Sequence, residues 1–165
     1  IYLYNFPKLS GIGFSAAFAR HLVTQYPGVV VGMKDSSGDW DHMAGIIREI
    51  PGFKVYAGTE RFLLRTLREG GAGCISATTN ASIGMAARLF RSWRSDEADD
   101  LQEQLTAVRN AFEGLPFTAA LKQMFFEWTN DPAWLNLRPP NSLLGAEKIK
   151  ELSDRLRSIG FSIAA

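Results

Sequence analysis

Apolar and polar positions along this chain alternate on two scales. Over residues 1–95 a short apolar run gives way to a polar or glycine-containing loop, then to a stretch with helical period, and the cycle repeats. The runs cover residues 1–4, 29–33, 53–57 and 73–77. Ser15 is placed to cap a helix carrying Phe18, Leu22 and Val23 that stops at Pro27-Gly28. Asp39 is placed to cap one carrying Met43, Ile46, Ile47 and Ile50 that stops at Pro51-Gly52. The period predicts further helices over 60–69, before Gly70-Gly71, and over 83–93, reached through Thr78-Thr79-Asn80. Strands alternating with helices at this spacing predict βα units on a parallel sheet.

From residue 96 the pattern is helical. Leu101, Leu105, Val108 and Phe112 follow one stripe, and Phe117, Leu121, Met124 and Phe125 a second, with Pro116 near its start. Ile149, Leu152, Leu156 and Ile159 mark a last helix, and Trp128, Trp134 and Pro139-Pro140 lie in the linking segment. The expected organisation is a βα part over 1–95 with a helical segment over 96–165 packed on it. Four βα units are half of an eight-unit barrel, or an open doubly wound sheet; the period does not choose between them. A half barrel leaves two strand edges open.

Composition narrows the function classes. The chain has 165 residues, 46% of them hydrophobic and 21% charged, with a net charge of +1. That balance gives no electrostatic footprint for nucleic acid or an anionic membrane. No apolar run approaches the ~20 residues of a membrane span. The lone cysteine, Cys74, excludes an internal disulfide and predicts a reducing, cytoplasmic setting. His21 and His42 form no metal-ligand spacing, so no metal is expected. The chain opens inside an apolar run, without Met, which reads as part of a longer protein.

The most telling residue is Lys34. It stands in Val29-Val30-Val31-Gly32-Met33-Lys34-Asp35-Ser36-Ser37-Gly38-Asp39, where a β-branched run reads as a strand buried on both faces and then breaks into a small polar loop. Strand-to-loop junctions of this kind are the usual seat of chemistry in α/β folds. A lysine shielded from water gives up its proton more readily, and a neutral amine attacks a carbonyl to form a Schiff base. The competing reading is a lysine snorkelling at a strand end.

Lys34 is joined by two other strand ends. Tyr4-Asn5-Phe6-Pro7-Lys8-Leu9-Ser10-Gly11, Gly32-Met33-Lys34-Asp35-Ser36-Ser37-Gly38-Asp39 and Gly71-Ala72-Gly73-Cys74-Ile75-Ser76-Ala77-Thr78-Thr79-Asn80 follow in order, with Arg138-Pro139-Pro140 near the end. Together they resemble the dihydrodipicolinate synthase and N-acetylneuraminate lyase family over essentially the whole chain. The resemblance implies a TIM (β/α)8 barrel, of which this chain covers about the last four βα units plus the C-terminal helical segment. It implies that Lys34 forms the Schiff base with a 2-oxo acid, pyruvate being the shared piece. No separate cofactor is then needed, since the iminium formed on the lysine is the electron sink. The partner substrate is an aldehyde, and homotetramers are the expected assembly. The family's Gly-Thr-Thr-Gly-Glu loop, which grips the substrate carboxylate, is absent from this sequence and would lie upstream.

Further site residues follow by the same resemblance. Tyr4 is the expected proton relay; Tyr2, on the same strand face, is told apart from it by the Asn5-Phe6-Pro7 that follows Tyr4. Ser36, Gly58, Thr59, Glu60 and Ile75 are expected to contact substrate, with glycine at 58 allowing close approach of backbone. Asp35 should point away from Lys34 if the strand continues through it. Leu9 stands where the synthase branch carries an arginine for aspartate semialdehyde, which disfavours lysine biosynthesis. Gly58-Thr59-Glu60-Arg61 and Ala77 depart from the sialic acid lyase pattern. In that reading Glu60 holds hydroxyls and Arg61 a second carboxylate. The expectation is a Schiff-base aldolase or lyase on a sugar-derived or dicarboxylic 2-oxo acid. The alternatives are the synthase itself, a non-catalytic pyruvate-binding homologue and an open-sheet phosphate-binding protein built on the glycine-rich turns.

Overall fold

Four short strands, β1 (Tyr2–Asn5), β2 (Gly32–Asp35), β3 (Lys54–Ala57) and β4 (Gly73–Cys74), form one parallel sheet in the order β1-β2-β3-β4. The computed structural model describes residues 1–162; residues 163–165, the end of the expected helical segment, lie outside the described residues. Helices α1 (Pro7–Ser10) and α2 (Ala16–Gln25) follow β1, and α3 (Trp40–Glu49) follows β2. A 3-10 turn (Glu60–Phe62) and α4 (Leu63–Arg68) follow β3, and α5 (Thr79–Ser92) follows β4. The tail holds α6 (Ala98–Ala111), α7 (Phe117–Thr129), a second 3-10 turn (Pro132–Leu135) and α8 (Ala146–Ser158).

The strand order decides what the period left open. A doubly wound sheet reverses its strand order at a switch point and carries helices on both faces. Here the order runs without reversal and the helices gather on one face, as in a barrel wall. Leu3, Met33, Val55, Ala57 and Cys74 meet α2 and α3 through Ala19, Leu22, Met43, Ile46 and Ile47. The opposite face carries Tyr2, Tyr4, Gly32, Lys34, Lys54 and Tyr56, paired in register. Among the described residues Tyr2 and Tyr4 are both exposed on that face.

The start of β2 differs from expectation. Gly28 adopts a left-handed φ of 75°, and the chain is still turning as the Val29 and Val30 amides bond the Tyr26 carbonyl oxygen. Val29 is exposed, so the valine run is not a doubly buried strand. Sheet pairing begins with the Val31 amide on Ile1 and runs on through Asp35. Lys34 therefore sits inside the strand, held by pairs on both sides. Gly32 is needed there, because a Cβ would fall on the Tyr2 ring and the Lys54 carbonyl oxygen. The last strand is also shorter than expected, ending at Cys74, after which Ile75 makes one further bond to Ala57 and the chain leaves the sheet.

Both expected caps form: Ser15 Oγ accepts from the Phe18 amide at 3.1 Å and Asp39 Oδ1 from the His42 amide at 3.0 Å. The tail shares its core with the βα part. Leu101 and Leu105 of α6 pack with Leu63, Leu64 and Leu67 of α4 and Leu89 of α5. Val108 and Phe112 pack with Ala120 and Leu121 of α7 and Leu152 and Leu156 of α8. Leu105 is fully buried at this junction, so Leu105→Ala is expected to cost about 2–5 kcal/mol in chemical denaturation. A loss below about 1 kcal/mol would show that the tail does not share the core.

Candidate functional site

Lys34 and Tyr4 lie opposite one another in the β1–β2 register, so their side chains rise side by side from the open face. The Lys34 Nζ donates to the Tyr4 hydroxyl at 3.2 Å and stands 4.3 Å from the centre of its ring. Burial raises the Tyr4 pKa. Hydrogen bonds from Lys34 and Ser36, with the Lys34 charge, outweigh it and bring the phenol below the usual tyrosine value. A phenol so placed gives and takes a proton more readily than a free one.

Behind this pair, on the covered face, Asn5 and Asp35 occupy the next register position. Asp35 is 3% exposed. Its carboxylate accepts from Asn5 Nδ2 at 2.9 Å and from the Ser37 amide and hydroxyl at 2.8 and 2.5 Å. Its second oxygen also lies 3.0 Å from His42 Nδ1. His42 Nε2 reaches the Phe14 carbonyl oxygen at 2.8 Å, and Asn5 Oδ1 accepts from the Phe14 amide at 3.1 Å. The cluster ties the ends of β1 and β2, the Ser37 turn, α3 and the loop before α2 to one carboxylate. Asp35 thus points away from Lys34, as expected of a strand that continues through it.

A cavity of about 530 Å³ opens over Lys34 and Tyr4. Ser36, Gly58 and Thr59 line it beside them. Gly58 is forced by close approach: a Cβ there would meet the Ser36 side chain and come within 2.7 Å of the Asp35 carbonyl oxygen. The Gly58 amide donates to that carbonyl at 2.6 Å, so glycine at this position brings the β3 loop against the lysine strand. Ile75 and Glu60 are not part of the wall. Ile75 is 48% exposed beyond β4. Glu60 is fully buried behind the cavity, where its carboxylate takes the hydroxyls of Ser76 (2.5 Å) and Thr78. Its hydrogen-bonding capacity goes to this chain's own side chains, which corrects the expectation that it holds hydroxyls of a substrate. Burial and the Glu60 charge together push the neighbouring Cys74 thiol up to about 12.

The tail supplies a wall that the apolar stripes do not reveal. Arg109 and Glu113 of the α6 end and Phe117 of α7 all face the cavity, with Arg61 and Ala77 beside them. Arg61 Nη2 pairs with Glu113 at 2.6 Å and its Nε donates to Asn110 at 2.8 Å. Arg61, expected to meet a second carboxylate of the substrate, thus already holds one from the tail. Arg109 lies over the Phe117 ring at 4.2 Å, with Nη1 3.7 Å from Glu60 and within reach of Ser76 and Thr78. Burial lowers the Arg109 pKa; the Glu60 charge opposes that shift, Arg61 adds to it and Glu113 opposes it. The signal that finds this wall is a polar stripe on α6. Gln102, Thr106, Arg109 and Glu113 recur at helical spacing, and Gln102 also bonds the Glu60 carbonyl and the Leu64 amide.

Among the described residues no three His, Cys, Asp or Glu side chains converge as a metal site would need. No helix among them is long and apolar enough to cross a membrane.

A family model described as the dihydrodipicolinate synthetase family matches residues 1–159. An uncharacterised DapA-like lyase of Chloroflexus aurantiacus is 29% identical over 92% of this chain and 51% of its own length. A probable 2-dehydro-3-deoxy-D-pentonate aldolase of Escherichia coli K12 is 31% identical over 76% of this chain and 41% of its own. The crystal structure of dihydrodipicolinate synthase from Agrobacterium tumefaciens superposes with a TM-score of 0.83 at 27% identity, covering 96% of this chain and 53% of that one. The chain spans about half the length of the relatives it matches.

Two outcomes test the site geometry. In a near-ultraviolet difference titration, one tyrosine should ionise below the usual value of about 10; Tyr4→Phe should remove it and Lys34→Met should move it upward. Because the folded phenol is the stronger acid, its contribution to stability exists above the unfolded pKa. That contribution is lost as pH falls through the lowered one. Asp35→Ala should cost about 3–5 kcal/mol, since the donors of Asn5, Ser37 and His42 lose their common acceptor. A near-neutral result in urea denaturation would refute the cluster's structural weight.

Proposed function

The chain belongs to the dihydrodipicolinate synthetase family, and from that premise we propose that it carries the Schiff-base centre of a pyruvate-dependent aldolase or lyase. The observation that carries this reading is Lys34, within a parallel strand and 3.2 Å from the Tyr4 hydroxyl at the floor of a cavity. Both kinds of relative, aldolase and synthase, stand among the proteins it matches. The covalent lysine supplies the chemistry, so no separate cofactor enters.

The steps follow from the residues. The neutral Lys34 amine attacks the ketone carbon of a 2-oxo acid, and the carbonyl oxygen takes a proton to give a carbinolamine. Tyr4 delivers a proton to the hydroxyl, water leaves, and an iminium forms on Nζ. The iminium draws electrons from the adjacent carbon, which loses a proton to the Tyr4 phenolate, so that an enamine forms and the phenol is restored. That carbon then attacks an aldehyde, a C–C bond forms, and Tyr4 protonates the new alkoxide. Water returns to the iminium carbon and gives a proton to the Tyr4 phenolate, and collapse of the carbinolamine releases the product and restores both Lys34 and Tyr4. Cleavage is the same sequence reversed. Ser36 and Thr59 offer hydroxyls at the cavity wall, and Gly58 leaves room for the pyruvyl part. The second substrate is an aldehyde whose product is a sugar-derived or dicarboxylic 2-oxo acid.

Treatment of the full-length protein with pyruvate and borohydride should trap one pyruvyl adduct, mapped to Lys34 by peptide mass. Lys34→Ala should abolish it, and Tyr4→Phe should keep binding but lower kcat by about 10²–10⁴-fold. Reversible pyruvate binding with an unchanged mass would instead favour a non-catalytic binding protein.

A further inference from the structure

Four cationic side chains line the cavity: Lys8, Lys34, Arg61 and Arg109. Two of them lie where the tail closes it, and both are neutralised by acids of this chain. Arg61 meets Glu113 at 2.6 Å, and Arg109 leans on the buried Glu60. Asp35 is consumed by Asn5, Ser37 and His42, and Asp39 by the helix cap. The tail-side wall is therefore rich in donors and acceptors and carries no net charge. One exposed carboxylate, Glu113, balances Arg61 there; it is 58% accessible at its side chain and lies in the turn that follows α6.

We propose that Glu113 is a specificity-determining residue: by cancelling Arg61 it makes the far end of the site accept an uncharged, hydroxylated aldehyde and reject one that ends in a carboxylate or phosphate. This rests on the Schiff-base reading and selects, between the two product classes left open there, the sugar-derived one. Hydroxyls fit a paired wall because Glu113 accepts from them while Arg61 donates to them. An anion placed on the same wall meets Glu113 at close range and finds Arg61 already occupied by it. Exposed ion pairs of this kind contribute little to stability, so Glu113 can be changed without loss of the fold. Removing its charge frees the Arg61 fork for a bidentate anion.

The experiment uses the full-length protein and its Glu113→Gln variant; a separate sample of each is trapped with pyruvate and borohydride to verify the Lys34 adduct, and the untreated proteins are checked by Tm and carried into the assay. The rates of condensation of pyruvate with glyceraldehyde, glyceraldehyde 3-phosphate and succinic semialdehyde are then compared as ratios of kcat/KM. The parent should favour glyceraldehyde over both anionic aldehydes. In Glu113→Gln that preference should fall by about tenfold, a size set by one partly screened charge at contact range. A fall for the phosphate arm alone, or for the carboxylate arm alone, supports the proposal and names the anion that the freed Arg61 takes. A parent that favours an anionic aldehyde, or a Glu113→Gln variant with unchanged ratios and an intact Lys34 adduct, overturns this proposal and leaves the Schiff base standing. Absence of the adduct in the parent overturns the Schiff-base reading and this one with it.

Discussion

A single buried carboxylate, that of Asp35, holds Lys34 and Tyr4 in place. Asp35 lies directly after Lys34, and Asn5 directly after Tyr4, so the covered face of the sheet repeats the pairing of the open one. A charge at this depth persists only when its lone pairs are met, and here donors from β1, the Ser37 turn and α3 all converge on it. The result is that the two strand ends cannot slide or splay without breaking several bonds together. The separation of Lys34 Nζ from the Tyr4 hydroxyl is set from behind, by groups that touch no substrate. Pre-organisation of this kind is what proton transfer at a fixed site requires.

The tail completes the site from the other side. Its leucine and phenylalanine stripes anchor it to α4 and α5, and that anchoring brings the polar stripe of α6 over the β3 loop. Glu60 then becomes a joint between β3, the loop after β4 and Arg109. Because the joint consumes its charges internally, the cavity presents polarity without net charge at that wall. Lys34 and Tyr4 rise from β2 and β1, while the rest of the cavity wall comes from loops and from the tail. The division follows from barrel architecture, in which strands fix geometry and connections vary.

Several features were legible in the residues alone. The alternation of apolar runs and helix-period stretches gives the βα order, Ser15 and Asp39 cap the helices they precede, and the motifs around Tyr4 and Lys34 point to one family. The boundaries were less legible. The valines before Gly32 have the composition of a buried strand, but the left-handed turn at Gly28 delays pairing until Val31. Propensity describes a residue's preference, and pairing decides where a strand starts.

The sequence by itself determined the order in which elements follow and the motifs that mark the family, because local spacing and motif are properties of the chain. It did not determine which charges are free. Glu60 and Arg61 are adjacent in the chain and read alike as polar residues at the start of a helix, yet one is sealed against Ser76 and Thr78 and the other is paired with Glu113, 52 positions away. Whether a side chain faces substrate or a neighbour depends on contacts between segments far apart in sequence. Only the tertiary structure brings those segments together.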